Sequence, residues 1–326
     1  MPAIKPARVI LFSMRNLPYN DLNSHLRARF GCRVQKITLD AGFTCPNRDG
    51  KKGSGGCIYC NSRGSGTGAF ARASITRQIQ EARPFLRKRY KAEKFIAYFQ
   101  SFSNTYAPVE TLRALYEEAL AADDIAGLAV GTRPDCVGDD VLDLLAEFSK
   151  RTWLSLELGL QSVHDRTLAL INRGHDAGDF FDAVARARSR GIGLCVHVIL
   201  GLPGETREDM LATARAIAPL GIAGIKPHLQ YVVRGTALHG MYERGEYRCL
   251  EREEYADILC DFLALLPPDM VIHRLTGDPR REELIAPAWA LEKEKTLRRI
   301  QEIFHGRGLR QGKYYTKDRS LPDTPE

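Results

Sequence analysis

Residues 193–220 read GLCVHVILGLPGETREDMLATARAIAPL. The first part, 193–200, is a short apolar run of strand length, and 207–220 reads as a helix. Between them lies a polar link containing Gly201, Pro203 and Gly204. A strand that passes through such a link into a helix is one unit of a parallel sheet, because parallel strands need a long crossover.

The same unit recurs on both sides. Strand patterns fall at 34–39, 95–99, 127–131, 153–160 and 225–233, and helical patterns at 75–90, 109–121, 141–148, 179–190 and 252–266. Pro84 is expected to kink or split the first of those helices. Six strand–helix units imply an α/β fold with a parallel sheet. An open doubly wound sheet and a barrel or partial barrel both satisfy the pattern, and both gather ligands beyond the carboxyl ends of the strands. The glycine-rich and polar motifs do follow strands: the loop after 39, then 100–106, 132–135, Gln161 and 201–206. After Leu266 the pattern changes. Pro267-Pro268 ends the helix, 271–275 reads as a further strand, and 288–304 as a long charged helix. The expected division is an N-terminal extension (1–19), a core (20–266) and a C-terminal extension (267–326).

The chain has 326 residues, 44% hydrophobic and 27% charged, which suits a globular α/β protein. No apolar run reaches the ~18–20 residues of a membrane-spanning helix, and the first residues lack a signal peptide, so the expectation is a cytoplasmic protein with no membrane partner. The net charge is +7. Basic residues concentrate at 83–94 and 298–319, the second stretch also holding Tyr314 and Tyr315. These fit a polyanion partner, and equally two solvated faces.

Of eight cysteines only Cys45, Cys57 and Cys60 cluster, in CPNRDGKKGSGGCIYC (45–60). In a reducing compartment clustered thiols point to metal or catalysis. Gly50, Gly53, Gly55 and Gly56 let the loop fold tightly, with amides free to face sulfide. Three thiolates leave one iron of a 4Fe–4S cluster open, which suits an iron that must bind a cofactor or substrate. A zinc site is the competing reading, but structural zinc takes four ligands, and no second C-x-x-C or nearby histidine supplies the fourth. Three cysteines placed by chance in a loop are the plain alternative. Cys195 and Cys260 sit in apolar runs and read as small buried hydrophobes, and Cys249 has no evident role. No P-loop, H-E-x-x-H or G-x-G-x-x-G motif is present.

Thiols after the first strand of a six-unit series resemble the radical S-adenosylmethionine (SAM) superfamily, whose core is a partial (β/α)6 TIM-like barrel. The usual C-x3-C-x2-C is expanded here to C-x11-C-x2-C. That expansion resembles the YhcC-like subgroup, in the class of the elongator catalytic subunit and oxygen-independent coproporphyrinogen oxidase. YFQSFSNTYAPVETL (98–112), GTRPDCV (131–137), ELGLQS (157–162), NRGH (172–175), ILGLPGET (199–206) and HRLTGD (273–278) fit the same subgroup.

The resemblance implies that Cys45, Cys57 and Cys60 hold a 4Fe–4S cluster whose open iron takes SAM. It sets Tyr59 against the adenine and Gln100 and Ser101 near the methionine amino group. Gln161 and Arg173 reach SAM, the guanidinium being suited to fork onto a carboxylate. His197 contacts the ribose, or is a satisfied core histidine. Ile199 and Gly201 flank the adenine. The implied chemistry is one-electron cleavage of SAM to a 5′-deoxyadenosyl radical that takes hydrogen from a substrate, with no side chain needed as a general base. Implied partners are SAM, an electron donor such as flavodoxin or ferredoxin, and tRNA modified at a wobble uridine side chain. A small metabolite is the alternative substrate. A zinc-stabilised nucleic-acid-binding module would explain the thiols and the charge, but not the barrel.

Overall fold

Strand order decides between the two architectures. The computed structural model describes residues 17–64 and 73–316. Its main sheet contains β1 (Val34–Leu39), β2 (Lys94–Phe99), β3 (Ile125–Thr132), β4 (Trp153–Gln161), β5 (Leu194–Leu200), β6 (Gly224–Leu229) and β8 (Val271–Ile272). All neighbours are parallel, and the spatial order is β1-β2-β3-β4-β5-β6-β8. That is chain order without the reversal of a doubly wound sheet, so the right-handed crossovers send the helices to one side. The other face curls inward on itself. β1 and β8 do not pair, so the result is a parallel half-barrel of seven strands.

The period of two along each strand sorts the residues. One set faces the crossover helices and forms the main core, for example Ile37, Leu39, Phe99, Leu156, Leu158 and Val198. Helices supply its other side: α2 (Ile75–Tyr90), α3 (Val109–Leu120), α4 (Asp139–Arg151), α6 (Ala177–Ser189), α7 (Arg207–Ile217), α9 (Arg252–Ala264) and α10 (Lys293–Gly306). The alternate set, including Lys36, Tyr98, Glu157, His197 and Lys226, lines an internal cavity of about 860 Å³.

Several expected elements differ. The strand expected over 225–233 stops at Leu229; its last residues form β7 (Val232–Val233), paired antiparallel with β9 (Leu284–Ala286). The helix expected to Leu220 ends at Ile217. Ala218–Leu220 is a 3₁₀ turn holding Pro219, which has no N–H to continue the ladder. Pro84 neither ends nor splits α2, since both Pro84 and Gln80, whose carbonyl loses its donor, are exposed to solvent. The long helix expected over 288–304 is a 3₁₀ turn, Ala288–Leu291, followed by α10 (Lys293–Gly306), and the strand expected over 271–275 is two residues long.

Three further helices have no counterpart in the sequence reading: α1 (Leu22–Phe30), α5 (Asp165–Leu170) and α8 (Ala237–Glu243). Asp21 caps α1 through the amides of Asn23 and Ser24. Leu26 of α1 packs with Val34, Ile96, Tyr98 and Ala129 and closes the strand-start end of the cavity. After α9 (Arg252–Ala264), α10 lies against it. The Gln311 amide donates to Pro18 O at 2.8 Å, and the Tyr314 amide to Ala264 O at 2.8 Å. The segment 311–315 therefore sits at the strand-start end. Lys317, Arg319 and the glycines of 65–72 lie outside the described residues.

Candidate active site

The thiol loop follows β1 and lies across the carboxyl ends of the strands, where hydrogen bonds within it and from neighbouring segments fasten it. Arg48 donates to the carbonyls of Cys60 and Asn61, and Asn172 donates to Gly56 O at 2.8 Å. Ile58 is clipped from both sides: its amide donates to Ile171 O at 3.1 Å, and its carbonyl accepts from the Leu238 amide at 2.9 Å. Ile58 and Tyr59 then pack on Leu168, Ile199 and Leu202 beside the end of β5.

Two arginines and an amide donor face the sulfurs. Arg173 Nη1 lies 3.6 Å from Cys57 Sγ, Asn47 Nδ2 lies 3.8 Å from the same sulfur, and Arg133 Nη1 lies 4.0 Å from Cys45 Sγ. Burial works against a Cys57 thiolate, but the charge and hydrogen bond of Arg173 outweigh it and bring its pKa below the ordinary thiol value. Burial and then the neighbouring Cys57 push Cys60 up to about 11, against the pull of Arg48. Arg173 is itself fixed: Nη2 donates to Gly159 O at 2.7 Å and Nε to His175 at 2.8 Å. Gly159 is required there, because a Cβ would stand 2.6 Å from Arg173 Nη2 and 2.7 Å from Gln161 Nε2. Gln161 closes β4 with a left-handed φ of 75° and pairs with Val198 across a register shift that skips Leu160.

Cys45, Cys57, Tyr59, Cys60, Gln100, Gln161, Arg173, His197 and Ile199 all border the one cavity. Two expected residues do not. Ser101 is buried beside it, while Phe102, with a φ of 61°, and Ser103 line the wall instead. Gly201 also lies off the wall, and its backbone is already engaged: its amide faces Met210 Sδ at 3.1 Å and its carbonyl accepts from Tyr247 at 2.8 Å. Cys249 is buried in an apolar cluster with Val232, Leu238 and Tyr247.

The profile of the Radical SAM superfamily matches residues 47–217, and that of the Radical_SAM C-terminal domain matches 222–305. The chain belongs to the radical SAM superfamily. It is 45% identical to the uncharacterized protein YtqA of Bacillus subtilis over 300 residues, covering 92% of this chain and 93% of that one. It is 40% identical to protein YhcC of Escherichia coli over 271 residues, 83% and 87% of the two chains. These place it in the YhcC-like subgroup. A tRNA uridine(34) acetyltransferase of Dehalococcoides mccartyi is 30% identical over 170 residues, half of this chain and 36% of that protein. Among solved structures, an archaeal Elp3 from Methanocaldococcus infernus superposes with a TM-score of 0.64 at 19% identity, covering 85% of this chain and 64% of that one. That likeness supports the half-barrel.

For a radical SAM protein the thiols must suit a cluster rather than one ion. Among the described residues, the only set of three metal-ligating side chains whose ligand atoms lie within 4.8 Å of one another is Glu157, Cys195 and His197. The loop thiols are thus spread wider than the four close ligands of a structural zinc. Buried polar atoms without partners, Ser103 Oγ and Tyr59 Oη, belong to residues that border the cavity beside them. The donor set and these orphaned groups fit a bound cluster and an amino-acid-bearing cofactor.

Below the thiols, the cavity floor is charged. Glu157 is fully buried, with Lys36 on Oε1, Lys226 Nζ 3.1 Å from Oε2, and His197 Nε2 2.7 Å from Oε2. Burial alone would raise the Glu157 pKa, but Lys226 and then Lys36 hold it well below the carboxylate range. Burial lowers Lys226 to about 8, partly offset by Glu157, and lowers His197 to about 4, with Lys226 adding to the effect. Tyr98 accepts from Lys226 at 2.7 Å. His197 thus has one nitrogen satisfied by Glu157 while its ring borders the cavity. Cys195 is not packed among hydrophobes as expected; it points to this floor, 3.4 Å from His273 Nδ1. Sequence reasoning placed Asn47, Arg133 and Glu157 inside quoted motifs without giving them roles, and missed Lys36 and Lys226. The one available signal was a charged residue at an inward position of an otherwise apolar strand, as in QKITL (35–39) and GIKPHL (224–229).

Proposed function

We infer that this protein cleaves SAM at a 4Fe–4S cluster held by Cys45, Cys57 and Cys60 and uses the resulting radical on a substrate seated in the half-barrel. The observation that carries the reading is the shared cavity: three thiols faced by arginines open into the same space as Gln161 and Arg173. When bound to Cys45, Cys57 and Cys60, a cluster would supply one-electron reduction of SAM, and hydrogen abstraction from the substrate would follow. The chain's part is to bind, orient and exclude water. Arg173 and Arg133 balance thiolate charge at Cys57 and Cys45. Tyr59 and Ile199 form an apolar wall for an adenine, and Gln161 and Gln100 offer amides to the polar end of SAM. His197 is held by Glu157 with its ring toward the cavity, as a ribose contact requires. Flavodoxin or ferredoxin would deliver the electron in a reducing cytoplasm, which all eight cysteines being unpaired supports.

The test is anaerobic reconstitution followed by iron, sulfide and 5′-deoxyadenosine assays. About four irons per chain and dithionite-dependent release of 5′-deoxyadenosine are expected. Stoichiometric zinc without iron would overturn the reading.

A second reading gives the substrate as tRNA, modified at a wobble uridine side chain. The partial likeness to a tRNA uridine(34) acetyltransferase favours it. The basic stretches do not add support. Arg299 and Arg307 are paired with Glu253, Asp257 and Asp261, and Arg83 and Arg87 with Asp124. Residues 311–315 and the end of α2 also lie at the strand-start end, away from the thiols. Comparing wobble nucleosides from a deletion strain and its parent decides it: a changed profile supports tRNA, and identical profiles turn the search to small metabolites.

A further inference from the structure

The floor of the cavity has more cations than anions. Lys36, Lys226 and Arg274 face it, against one interior carboxylate, Glu157. Three other carboxylates reach the cavity wall, and all are occupied. Glu283 pairs with Arg63 at 2.8 Å. Asp278, half exposed, is shared between Arg274 at 3.4 Å and Lys293 at 2.7 Å. Asp21 accepts from the first amides of α1. Glu157 cannot neutralise two ammoniums and leave any charge for the guanidinium.

A second observation points the same way. Arg274 Nη1 lies 3.3 Å from His228 Nδ1. A guanidinium only donates, so Nδ1 accepts and the imidazole proton sits on Nε2. His228 Nε2 is buried and has no partner. Buried donors are rarely left unpaired, and one that borders a cavity marks where an acceptor belongs.

Resting on the radical SAM reading above, we propose that Lys36, Lys226, Arg274 and His228 form a subsite for an oxyanion, a carboxylate or a phosphate, on the substrate. Ammonium, guanidinium and imidazole N–H are the donors such a group takes, and a guanidinium can bind it through two parallel hydrogen bonds. The floor lies at mid-strand and the thiols lie beyond the strand ends, within one cavity. An anion anchored on the floor therefore sets the rest of the substrate between floor and cluster. Glu157 acts as the positioning residue, fixing both lysines from the centre of β4.

The competing occupant is a metal ion on Glu157, Cys195 and His197. Both carboxylate oxygens already hold ammoniums, and Lys36 Nζ stands 3.4 Å from His273 Nδ1, so a cation would enter against two like charges.

The test uses the reconstituted, SAM-loaded protein and isothermal titration with succinate, inorganic phosphate and zinc, at ionic strength matched with sodium chloride. Saturable binding of succinate or phosphate is expected, and the tighter of the two names the oxyanion. Affinity should fall at least tenfold in Lys226→Met and in Arg274→Gln; the second, at a partly exposed side chain, keeps the test open if the first does not fold. Absence of saturable anion binding, or equal affinity in both variants, overturns the subsite. Zinc binding tighter than either anion, and lost in Cys195→Ala, overturns it in favour of a metal. Failure of the underlying reading shows separately, as wild-type protein without iron or 5′-deoxyadenosine.

Discussion

The thiol loop and the cavity floor handle charge in opposite ways. On the loop, potential anions sit on irregular chain, and cations are brought to them from elsewhere: Arg173 to Cys57, Arg133 to Cys45. On the floor, cations come from two regular strands, β1 and β6, and the segment after β8, and the two lysines converge on one anion, Glu157. The loop is fastened by hydrogen bonds from side chains to its backbone, so its thiols can be replaced without removing what shapes it. The floor is fastened through the charged groups themselves, so a change there reaches the fold. Ligand capacity and stability should therefore separate between the two regions.

The largest expected effect tests the loop. Replacing Cys45, Cys57 and Cys60 with Ala should reduce iron from about four per chain to near zero. Urea unfolding of the same variant should move little from that of the iron-free parent. A large loss of stability would break the separation.

Next comes the floor. Glu157→Gln leaves two buried ammoniums without a counter-charge and should cost about 3–5 kcal/mol in chemical denaturation. Its iron content after reconstitution should match the wild type; loss of iron would mean that the two regions are one unit.

Acid should weaken the floor in a way that can be assigned. Burial, then Lys226, holds His197 at about 4, below its ordinary 6.5, so on acidification the unfolded chain takes the proton first. The contribution of His197 is complete above pH 6.5 and is lost as pH falls toward 4, by on the order of 1.4 kcal/mol per pH unit. His197→Gln should flatten that part of the stability profile, and an unchanged slope would remove His197 from the floor's electrostatics.

Gly159 joins the two regions, lying on β4 between Glu157 and Gln161. The Cβ of Gly159→Ala would displace Arg173 and Gln161 together. SAM affinity should fall roughly tenfold, or about 1.4 kcal/mol, with iron retained; equilibrium dialysis reads the first and iron assay the second. The smallest effect belongs outside both regions. Arg307→Ala removes exposed pairs with Asp257 and Asp261 and should change stability by less than about 1 kcal/mol.

The sequence by itself determined the parallel α/β sheet, the end of it that carries the site, and the loop where three thiols meet. Each is a local property: a strand run followed by a helical period, a polar motif after a strand, two cysteines three positions apart. It also carried the resemblance that the family profiles bear out. Three things were decided by the tertiary structure. Strand order chose the half-barrel, because periodicity describes each element alone and says nothing of its neighbours. Backbone already engaged removed Gly201 from the cavity wall, since the partners of its amide and carbonyl, Met210 and Tyr247, are set by packing. The charged floor was legible only as scattered Lys, Glu and His at inward positions. Lys36, Glu157 and Lys226 are separated by 121 and 69 residues, and only curling of the sheet brings their side chains together.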